Sequence, residues 1–455
     1  MPATMSASPS PALLTDLYQL TMMQAYWREG MTAPATFDLF VRRLPAERNV
    51  LLACGLEDAL DYLETLRFTD ANLAFLAERP EFADDFIETL RDFRFTGSVR
   101  AVPEGTPVFH TEPLLEVTAP IPEAQLVETF LLNQITVQTV LASKALRVVR
   151  AAAGRTVADF GMRRMHGTDA AMKGARAFYI AGVDATSNVQ AGAVYGIPIT
   201  GTMAHAYIEA HTSEPEAFRA FADLYPETTL LVDTYDTLDG VRRVIRLADE
   251  LSDAFRVGAV RLDSGDLAAL ARDVRSLLDD AGLDDIRIFA SGGLDEYAIA
   301  RLVAAGAPID GFGVGTRMGT SADAPTIDSV YKLAAYDGAG RMKLSEGKAT
   351  LPSSKQVVRQ FDGDTAVRDV IGLVDENLDG EPLLVPVMKD GARLTAPDAL
   401  TTIRERACRE VARLPERIRN LEPAELPYPV EVSDALAAER DRVRAEIERR
   451  TEAAG

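Results

Sequence analysis

The stretch AVRLDSGDLAALARDVRSLLDDAG, from Ala259 to Gly282, decides how the middle of the chain folds. It starts with a short apolar run, passes through a small polar loop, and continues with apolar residues at helical spacing. The stretch therefore predicts a buried strand, a loop and a helix in series. This order is typical of one β/α unit of a parallel sheet.

Further strand candidates on both sides of this stretch are each followed by a small polar loop. They are TVADFG at 156–161, IPIT at 197–200, LLVD at 230–233, RIFA at 287–290 and GFGV at 311–314. So many serial units predict an α/β fold with an irregular, TIM-like β/α barrel over residues 136–336. The catalytic face of such a barrel lies at the carboxyl ends of its strands.

The flanking parts, residues 1–135 and 337–455, have a different texture. Residues 56–66 repeat apolar side chains at helical spacing. Within residues 97–120, apolar and polar side chains alternate in short runs that are separated by Pro and Gly. These patterns predict a helix and short antiparallel strands. Residues 435–450 predict a charged helix whose polar face is solvated.

Composition excludes several classes of function. The chain has 455 residues, 47% of them hydrophobic, and a formal net charge of -21, which argues against a nucleic-acid partner. No uncharged run is long enough to predict a membrane span. The two cysteines, Cys54 and Cys408, cannot form a cysteine-rich zinc site or a disulfide scaffold. The N-terminal MPATMSASPSPA lacks the features of a signal peptide, so a cytoplasmic location is expected.

Two loops near the end of the series are rich in glycine, Ser291–Gly293 and Gly313–Thr316. Glycine lets backbone N–H groups approach an anion, and barrels often bind phosphate in the loops after their last strands. These loops therefore predict a phosphate site. The alternative is that they are only tight turns.

Charged residues follow two other strands. Arg261 and Asp263 are two residues apart and share one face of their strand, with Asp266 close behind. This set can bind an anion and orient a sugar or a Mg²⁺ ion held by Asp263 and Asp266; the alternative is a structural ion pair. Phe160 with Arg163 suits a flat anionic ring or a phosphate, or else a core aromatic with a surface arginine.

The stretch GTMAHAYIEAH holds two of the four histidines. His205 and His211 are about 120° apart on a helix, which is unsuitable for a metal pair. His205 follows a strand candidate on the catalytic face, so it is a candidate nucleophile or general base. His211 is expected to be an ordinary helix residue.

Six motifs in this order, spread over nearly the whole chain, resemble nicotinate phosphoribosyltransferases. They are LLTDLYQLTMMQAY at 13–26, DFGMRR at 159–164, TSNVQAG at 186–192, GTMAHAYI at 201–208, VRLDSGDL at 260–267 and GFGVGT at 311–316. The resemblance implies a type II phosphoribosyltransferase fold. In it, the C-terminal segments pack with the N-terminal α/β domain and the barrel carries the catalytic site.

The resemblance also implies a reaction. Nicotinate and 5-phosphoribosyl 1-pyrophosphate would give nicotinate mononucleotide and pyrophosphate with Mg²⁺, the first step of NAD synthesis from nicotinate. ATP would act as a co-substrate by phosphorylating His205. A homodimer with shared active sites is implied too, in which Tyr18 reaches the pyridine ring from the partner subunit.

The remaining roles follow from the same motif matches. Phe160 would flank the ring, Arg261 would meet the nicotinate carboxylate beside Thr202, and Asp263 would orient the ribose. The implied phosphate-binding residues are Arg163, Ser291, Gly292, Gly315 and Thr316.

Three alternatives remain open. A related enzyme could use nicotinamide or quinolinate, and a barrel without activity could bind a phosphorylated metabolite. The nicotinamide-using relatives carry an acid a few positions before their AG, and this chain has Asn188 in the region before Ala191-Gly192. An acid there would repel a carboxylate, so nicotinate is favoured. Quinolinate, with two carboxylates, would call for more cationic residues than the motifs contain.

Overall fold

The computed structural model describes residues 11–345 and 350–454. The first ten residues of the predicted N-terminal tail lie outside this range. No helix within the described ranges combines the length and the apolar character needed to cross a bilayer.

The α-helices of the described residues are α1 (Leu17–Arg28), α2 (Leu56–Thr65), α3 (Asp70–Ala77), α4 (Asp84–Leu90), α5 (Ile121–Leu126), α6 (Glu128–Ala151), α7 (Thr168–Ile180), α8 (Val189–Tyr195), α9 (His205–Glu209), α10 (Glu214–Leu224), α11 (Thr237–Leu251), α12 (Leu267–Asp280), α13 (Glu296–Ala304), α14 (Thr316–Gly319), α15 (Leu400–Ala412), α16 (Glu416–Arg419) and α17 (Asp434–Ala454). Short 3-10 helices cover Pro11–Leu13, Met162–Arg164 and Ser252–Ala254.

The strands are β1 (Pro34–Val41), β2 (Leu51–Leu52), β3 (Ser98–Ala101), β4 (Pro107–Val108), β5 (Pro113–Pro120), β6 (Thr156–Asp159), β7 (Ala185–Thr186), β8 (Thr229–Leu231), β9 (Ala259–Leu262), β10 (Arg287–Ala290), β11 (Gly311–Val314), β12 (Ser329–Tyr336), β13 (Ala339–Gly340), β14 (Lys355–Asp362), β15 (Thr365–Leu373), β16 (Glu381–Pro382), β17 (Val385–Lys389), β18 (Ala392–Arg393) and β19 (Val430–Val432).

The chain divides into two compact units. The first contains the residues up to Thr139 and those from Thr326 onward, and the second is Val140–Pro325. The sequence placed the boundaries at 135/136 and 336/337. β12, which lies before the second of these, pairs antiparallel with β1 and so belongs to the first unit. Its strand pattern continued that of the preceding units, so the sequence offered no break at residue 326.

The first unit is built on a seven-stranded sheet in the order β13-β12-β1-β5-β3-β17-β18, whose neighbours are antiparallel. The strands predicted between residues 97 and 120 are present, and β3 pairs with β5 antiparallel. A second sheet has the order β16-β14-β15-β19. Strands from both ends of the chain therefore share this unit.

The second unit holds a six-stranded parallel sheet in the order β7-β6-β11-β10-β9-β8. The expected IPIT strand is reduced to a single parallel bridge between Thr186 and Ile199. A mixed α/β fold with a parallel half-barrel sheet is present, but a closed TIM-like barrel is not confirmed. Pro198 has no N–H to donate, which limits pairing along this exposed segment.

Three of the loops that follow strands of this sheet end in an aspartate that caps the next helix. Asp236, Asp266 and Asp295 are the N-caps of α11, α12 and α13, and each carboxylate accepts backbone N–H groups of its own helix. These groups lack partners within the helix, so an aspartate there defines where the helix starts. The helices therefore begin at fixed points beyond the carboxyl ends of the strands.

Candidate active site

A cavity of about 1020 Å³ opens at the carboxyl ends of the parallel strands. All its lining residues belong to the second unit. They are Phe160, Met162, Arg163, Arg164, Met165, Gly167, Thr168, Ala171, Ser187, Gly201, Thr202, Met203, Ala204, His205, Ala206, Arg261, Asp263, Ser291, Gly292, Gly293, Gly313, Gly315 and Thr316.

Ten of the residues singled out in the sequence come together around this cavity. They are Phe160, Arg163, Thr202, His205, Arg261, Asp263, Ser291, Gly292, Gly315 and Thr316. Tyr18 and Asp266 do not line it. Convergence on one cavity shows that these residues share a site, while the role of each stays a prediction.

Arg261 has a charged, half-buried side chain that lies next to an aromatic ring. Its Nη1 donates to Oγ1 of Thr202 at 2.9 Å, and its guanidinium carbon lies 5.9 Å from the centre of the Phe160 ring. Burial lowers the pKa of Arg261, against the charges of nearby carboxylates that raise it. An arginine stays protonated nevertheless. Its Nε has no hydrogen-bond partner among the described residues, so donor capacity remains for an anionic ligand.

Asp263 is held by its neighbours on two sides. Oγ of Ser291 donates to its Oδ1 at 2.5 Å, and its own backbone N–H donates to Oδ2 of Asp233 at 2.9 Å. A Cβ on Gly292 would lie 1.8 Å from the carbonyl oxygen of Asp263, so only glycine fits there. The carboxylate is thus fixed at the cavity wall.

The glycines of the predicted phosphate loops have a packing role as well. A Cβ on Gly313 would come within 2.4 Å of the Phe160 ring. Gly292 has a φ of +89°, a conformation that favours glycine. Part of the glycine pattern therefore reflects packing contacts within the protein. From the sequence, these glycines were interpreted as room for a phosphate or as tight turns.

His205 is the first residue of α9 and lines the cavity with a half-buried ring. Its Nδ1 lies 3.1 Å from Oγ1 of Thr234, which leaves the other ring nitrogen without a contact of this kind in the described structure. His211 follows the end of α9, where its Nδ1 donates to the carbonyl of Tyr207 at 2.7 Å. His211 does not line the cavity.

The magnesium role of Asp266 stays a prediction, since its side chain caps a helix and does not line the cavity. Its Oδ1 accepts from the backbone N–H groups of Ala268 and Ala269 at 3.2 and 3.1 Å and so caps α12. No group of three or more His, Cys, Asp or Glu within the described ranges could hold a metal ion by itself. A magnesium site built from Asp263 and substrate oxygens still fits, because Mg²⁺ usually takes one or two carboxylates beside phosphates and water.

Tyr18 lies on α1 in the first unit, with about half of its surface exposed. Its expected contribution to the site of a partner subunit stays a prediction.

Asn188 does not line the cavity. Its side chain is buried, its Oδ1 accepts from the Ala191 N–H at 3.1 Å, and it is the N-cap of α8. The residue that lines the cavity is Ser187. The argument for nicotinate that rested on Asn188 is therefore not supported, because this side chain serves its own helix.

Two residues of the site were missed in the sequence. Asp233 holds the backbone of Asp263, and Thr234 contacts His205. Both lie beyond β8: Asp233 is the last residue of the LLVD segment and Thr234 follows it. Their place at the carboxyl end of a parallel strand was the signal that could have identified them.

Comparison with known proteins gives consistent similarities along the chain. Family models match residues 13–136, 156–373 and 376–439, described as the nicotinate phosphoribosyltransferase N-terminal domain, family and C-terminal domain. A nicotinate phosphoribosyltransferase of Mycobacterium tuberculosis is 53% identical over 95% of this chain and 94% of its own length. One from Bacillus subtilis is 44% identical over 82% of this chain and 79% of its own.

A solved structure agrees. The crystal structure of human nicotinic acid phosphoribosyltransferase matches with a TM-score of 0.84 and 29% identity, covering 94% of this chain and 99% of that one.

Proposed function

The chain belongs to the nicotinate phosphoribosyltransferase family, and from this premise we propose that it joins nicotinate to 5-phosphoribosyl 1-pyrophosphate. The pyridine nitrogen supplies the electron pair for the new bond to C1 of the ribose. The bond from C1 to the pyrophosphate oxygen breaks, and pyrophosphate leaves with its electrons. The products are nicotinate mononucleotide and pyrophosphate.

One observation carries this proposal: the half-buried cation of Arg261 lies beside an aromatic ring in a cavity rimmed by glycine loops. A planar ring with one carboxylate suits this arrangement, since the guanidinium pairs with carboxylates and Phe160 offers a flat apolar face. Thr202 restrains the guanidinium through its hydroxyl.

The second substrate is proposed to bind in the same cavity. The carboxylate of Asp263, just beyond the end of β9, would stabilise the positive charge that develops on the ribose as pyrophosphate leaves. The groups proposed for its phosphates are Arg163, Ser291, Gly292, Gly315 and Thr316. Positioning and charge stabilisation dominate such a reaction, because the protein forms no bond to the ribose.

Magnesium would supply charge neutralisation on the pyrophosphate. Among the carboxylates described above, that of Asp263 lines the cavity and could meet such an ion. Its Oδ1 accepts the hydroxyl of Ser291, which would hold the carboxylate in place for such an ion.

We further propose that ATP takes part through His205. A ring nitrogen forms a bond to the γ-phosphorus, the bond to the bridging oxygen breaks, and ADP leaves with the electron pair. Water later releases phosphate from the ring. Phosphorylation can drive product formation only if the two forms of the enzyme bind substrate or product with different affinity.

The same proposal includes a homodimer with shared active sites, a cytoplasmic location, and the first step of NAD synthesis from nicotinate. Nicotinamide remains a competing substrate, since the Asn188 argument no longer separates it from nicotinate. Quinolinate also remains one, although its two carboxylates would call for more cationic residues. A barrel that only binds a phosphorylated metabolite remains the competitor without activity, and it leaves the fixed Asp263 unexplained.

The test is a turnover assay with each of the three pyridines, with phosphoribosyl pyrophosphate and Mg²⁺, with and without ATP. We expect nicotinate to react fastest and ATP to be hydrolysed during turnover. The enzyme should carry an acid-labile phosphate that His205→Ala removes. Faster turnover of nicotinamide would overturn the substrate, and binding without any turnover would overturn the activity.

A further inference from the structure

Two consecutive residues after β8 connect His205 to the loop of Asp263. Thr234 contacts the imidazole through Oγ1, 3.1 Å from Nδ1 of His205. Asp233 accepts the backbone N–H of Asp263 through Oδ2 at 2.9 Å. The proposed ATP-dependent histidine and the proposed ribose-binding carboxylate are therefore linked through one dipeptide.

The hydrogen bonds continue from Asp233 into the β9 loop, which carries the proposed ribose-binding carboxylate. The same Oδ2 of Asp233 accepts the hydroxyl of Ser264 at 2.7 Å, so two groups of the β9 loop depend on one oxygen. Asp263 in turn accepts from Ser291 at the end of β10. Hydrogen bonds, with one covalent step from Thr234 to Asp233, thus connect His205 to residues at the ends of three neighbouring parallel strands.

Phosphorylation of His205 must change the first contact of this chain. If phosphate is added to Nδ1, it takes the position of the Thr234 hydroxyl. If it is added to Nε2, that nitrogen first needs its lone pair, so the ring proton lies on Nδ1 and points to Thr234. After the transfer the ring carries a charged phosphoryl group, and the direction of the bond between Nδ1 and the Thr234 hydroxyl depends on whether Nδ1 keeps its proton. Phosphorylation therefore displaces the Thr234 contact in the first case and changes the charge of the ring that makes it in the second.

We propose that Thr234 is a positioning residue that transmits the phosphorylation state of His205 to the Asp263 loop, and so sets the affinity for phosphoribosyl pyrophosphate. This inference rests on the proposed function. Thr234 acts through His205 on one side and through its neighbour Asp233 on the other, and it does not touch the reacting atoms. Energetic coupling of this kind changes affinity by roughly 5- to 150-fold.

The test compares the KM for phosphoribosyl pyrophosphate with and without ATP. The ratio of the two values measures the coupling. Thr234→Val keeps the shape and removes the hydroxyl, and Thr234→Ser restores the hydroxyl. Thr229→Val, on β8 and outside the cavity, is the matched control.

We expect Thr234→Val to bring the ratio to within about threefold of one, while Thr234→Ser and Thr229→Val keep the wild-type ratio. A loss of stability alone would lower the apparent kcat with and without ATP and leave the ratio of the two KM values unchanged. An unchanged ratio in a folded Thr234→Val enzyme would overturn the inference. If that variant does not fold, Asp233→Ala, which removes the acceptor oxygen, tests the link from its other end with the same expected and contrary results.

The wild-type enzyme separates this inference from the proposal beneath it. If ATP leaves both the KM and the phosphate content of the wild type unchanged, the proposed phosphohistidine is wrong and the coupling is wrong with it. If the wild type responds to ATP and Thr234→Val responds equally, only the coupling is wrong.

Discussion

Nη1 of Arg261 donates a hydrogen bond to Oγ1 of Thr202 at 2.9 Å, which joins the end of β9 to the segment before α9. The guanidinium is thereby held near the Phe160 ring while its Nε keeps an uncommitted N–H. The pair defines where a substrate carboxylate would lie, and it leads to the first prediction.

Arg261→Met should raise the KM for nicotinate by about 10- to 150-fold, because a hydrogen bond to a charged group contributes about 1.5–3 kcal/mol. Turnover of nicotinamide should change less, since its amide carries no charge. Steady-state kinetics with both pyridines provide the measurement. Arg256→Met, at an exposed arginine bonded to local carbonyls, is the control. Equal losses for both pyridines would contradict a carboxylate-binding role.

Gly292 and Gly293 offer a matched pair. Both have positive φ, 89° and 65°, so alanine is strained at either position. A Cβ would meet the carbonyl of Asp263 at 1.8 Å on Gly292 and nothing within 4 Å on Gly293. We expect Gly292→Ala to lower kcat/KM by about 100-fold or more, and Gly293→Ala to lower only the thermal midpoint. Similar kinetics of the two variants would show that the Asp263 loop tolerates displacement.

Asp266→Ala should lower the free energy of unfolding by about 1 kcal/mol, because α12 loses its N-cap. The Mg²⁺ concentration needed for half-maximal activity should stay the same. Urea unfolding and a Mg²⁺ titration measure the two effects, and Asp266→Asn, which can still cap, should restore the stability. A large increase in the Mg²⁺ requirement would instead support the predicted role of Asp266 as a metal ligand.

The sheet of the first unit contains a carboxyl group with a displaced pKa. Burial raises the pKa of Asp38 to about 7, with the charge of Lys355 opposing and that of Glu116 reinforcing the shift. Oδ2 of Asp38 lies 2.7 Å from Nζ of Lys355. Between about pH 4 and 7 the folded protein therefore keeps a proton that the unfolded chain has lost.

The raised pKa of Asp38 predicts the direction in which the stability of the protein changes with pH. The stabilising effect of the proton is fully present below about pH 4 and is lost as the pH rises through about 7, by at most about 4 kcal/mol. Asp38→Asn does not titrate, so the advantage of the wild type over this variant should shrink between pH 5 and pH 8. Urea unfolding of both proteins across this range gives the difference. A constant difference would mean that Asp38 is ionised throughout.

Much of the second unit could be predicted because its signals are local. Apolar runs such as AVRL, followed by a polar loop and a helical period, identified five of the six parallel strands. β7, with only two residues, left no such signal. The closed barrel was not confirmed, since the number of strands in series does not determine which strands pair at the edges.

The roles of the side chains at the site could also be predicted only in part from the sequence. The sequence by itself determined that Asp263 and Asp266 follow a strand, and it determined the order of the loops; it identified Asn188 only as part of the TSNVQAG motif. Only the tertiary structure decided that Asp263 lines the cavity while the other two cap helices. It also brought Thr234 to His205 across 29 residues. The physical reason is that a polar side chain before a helix can bind either the free N–H groups of that helix or a ligand. The backbone direction in the folded loop selects between them.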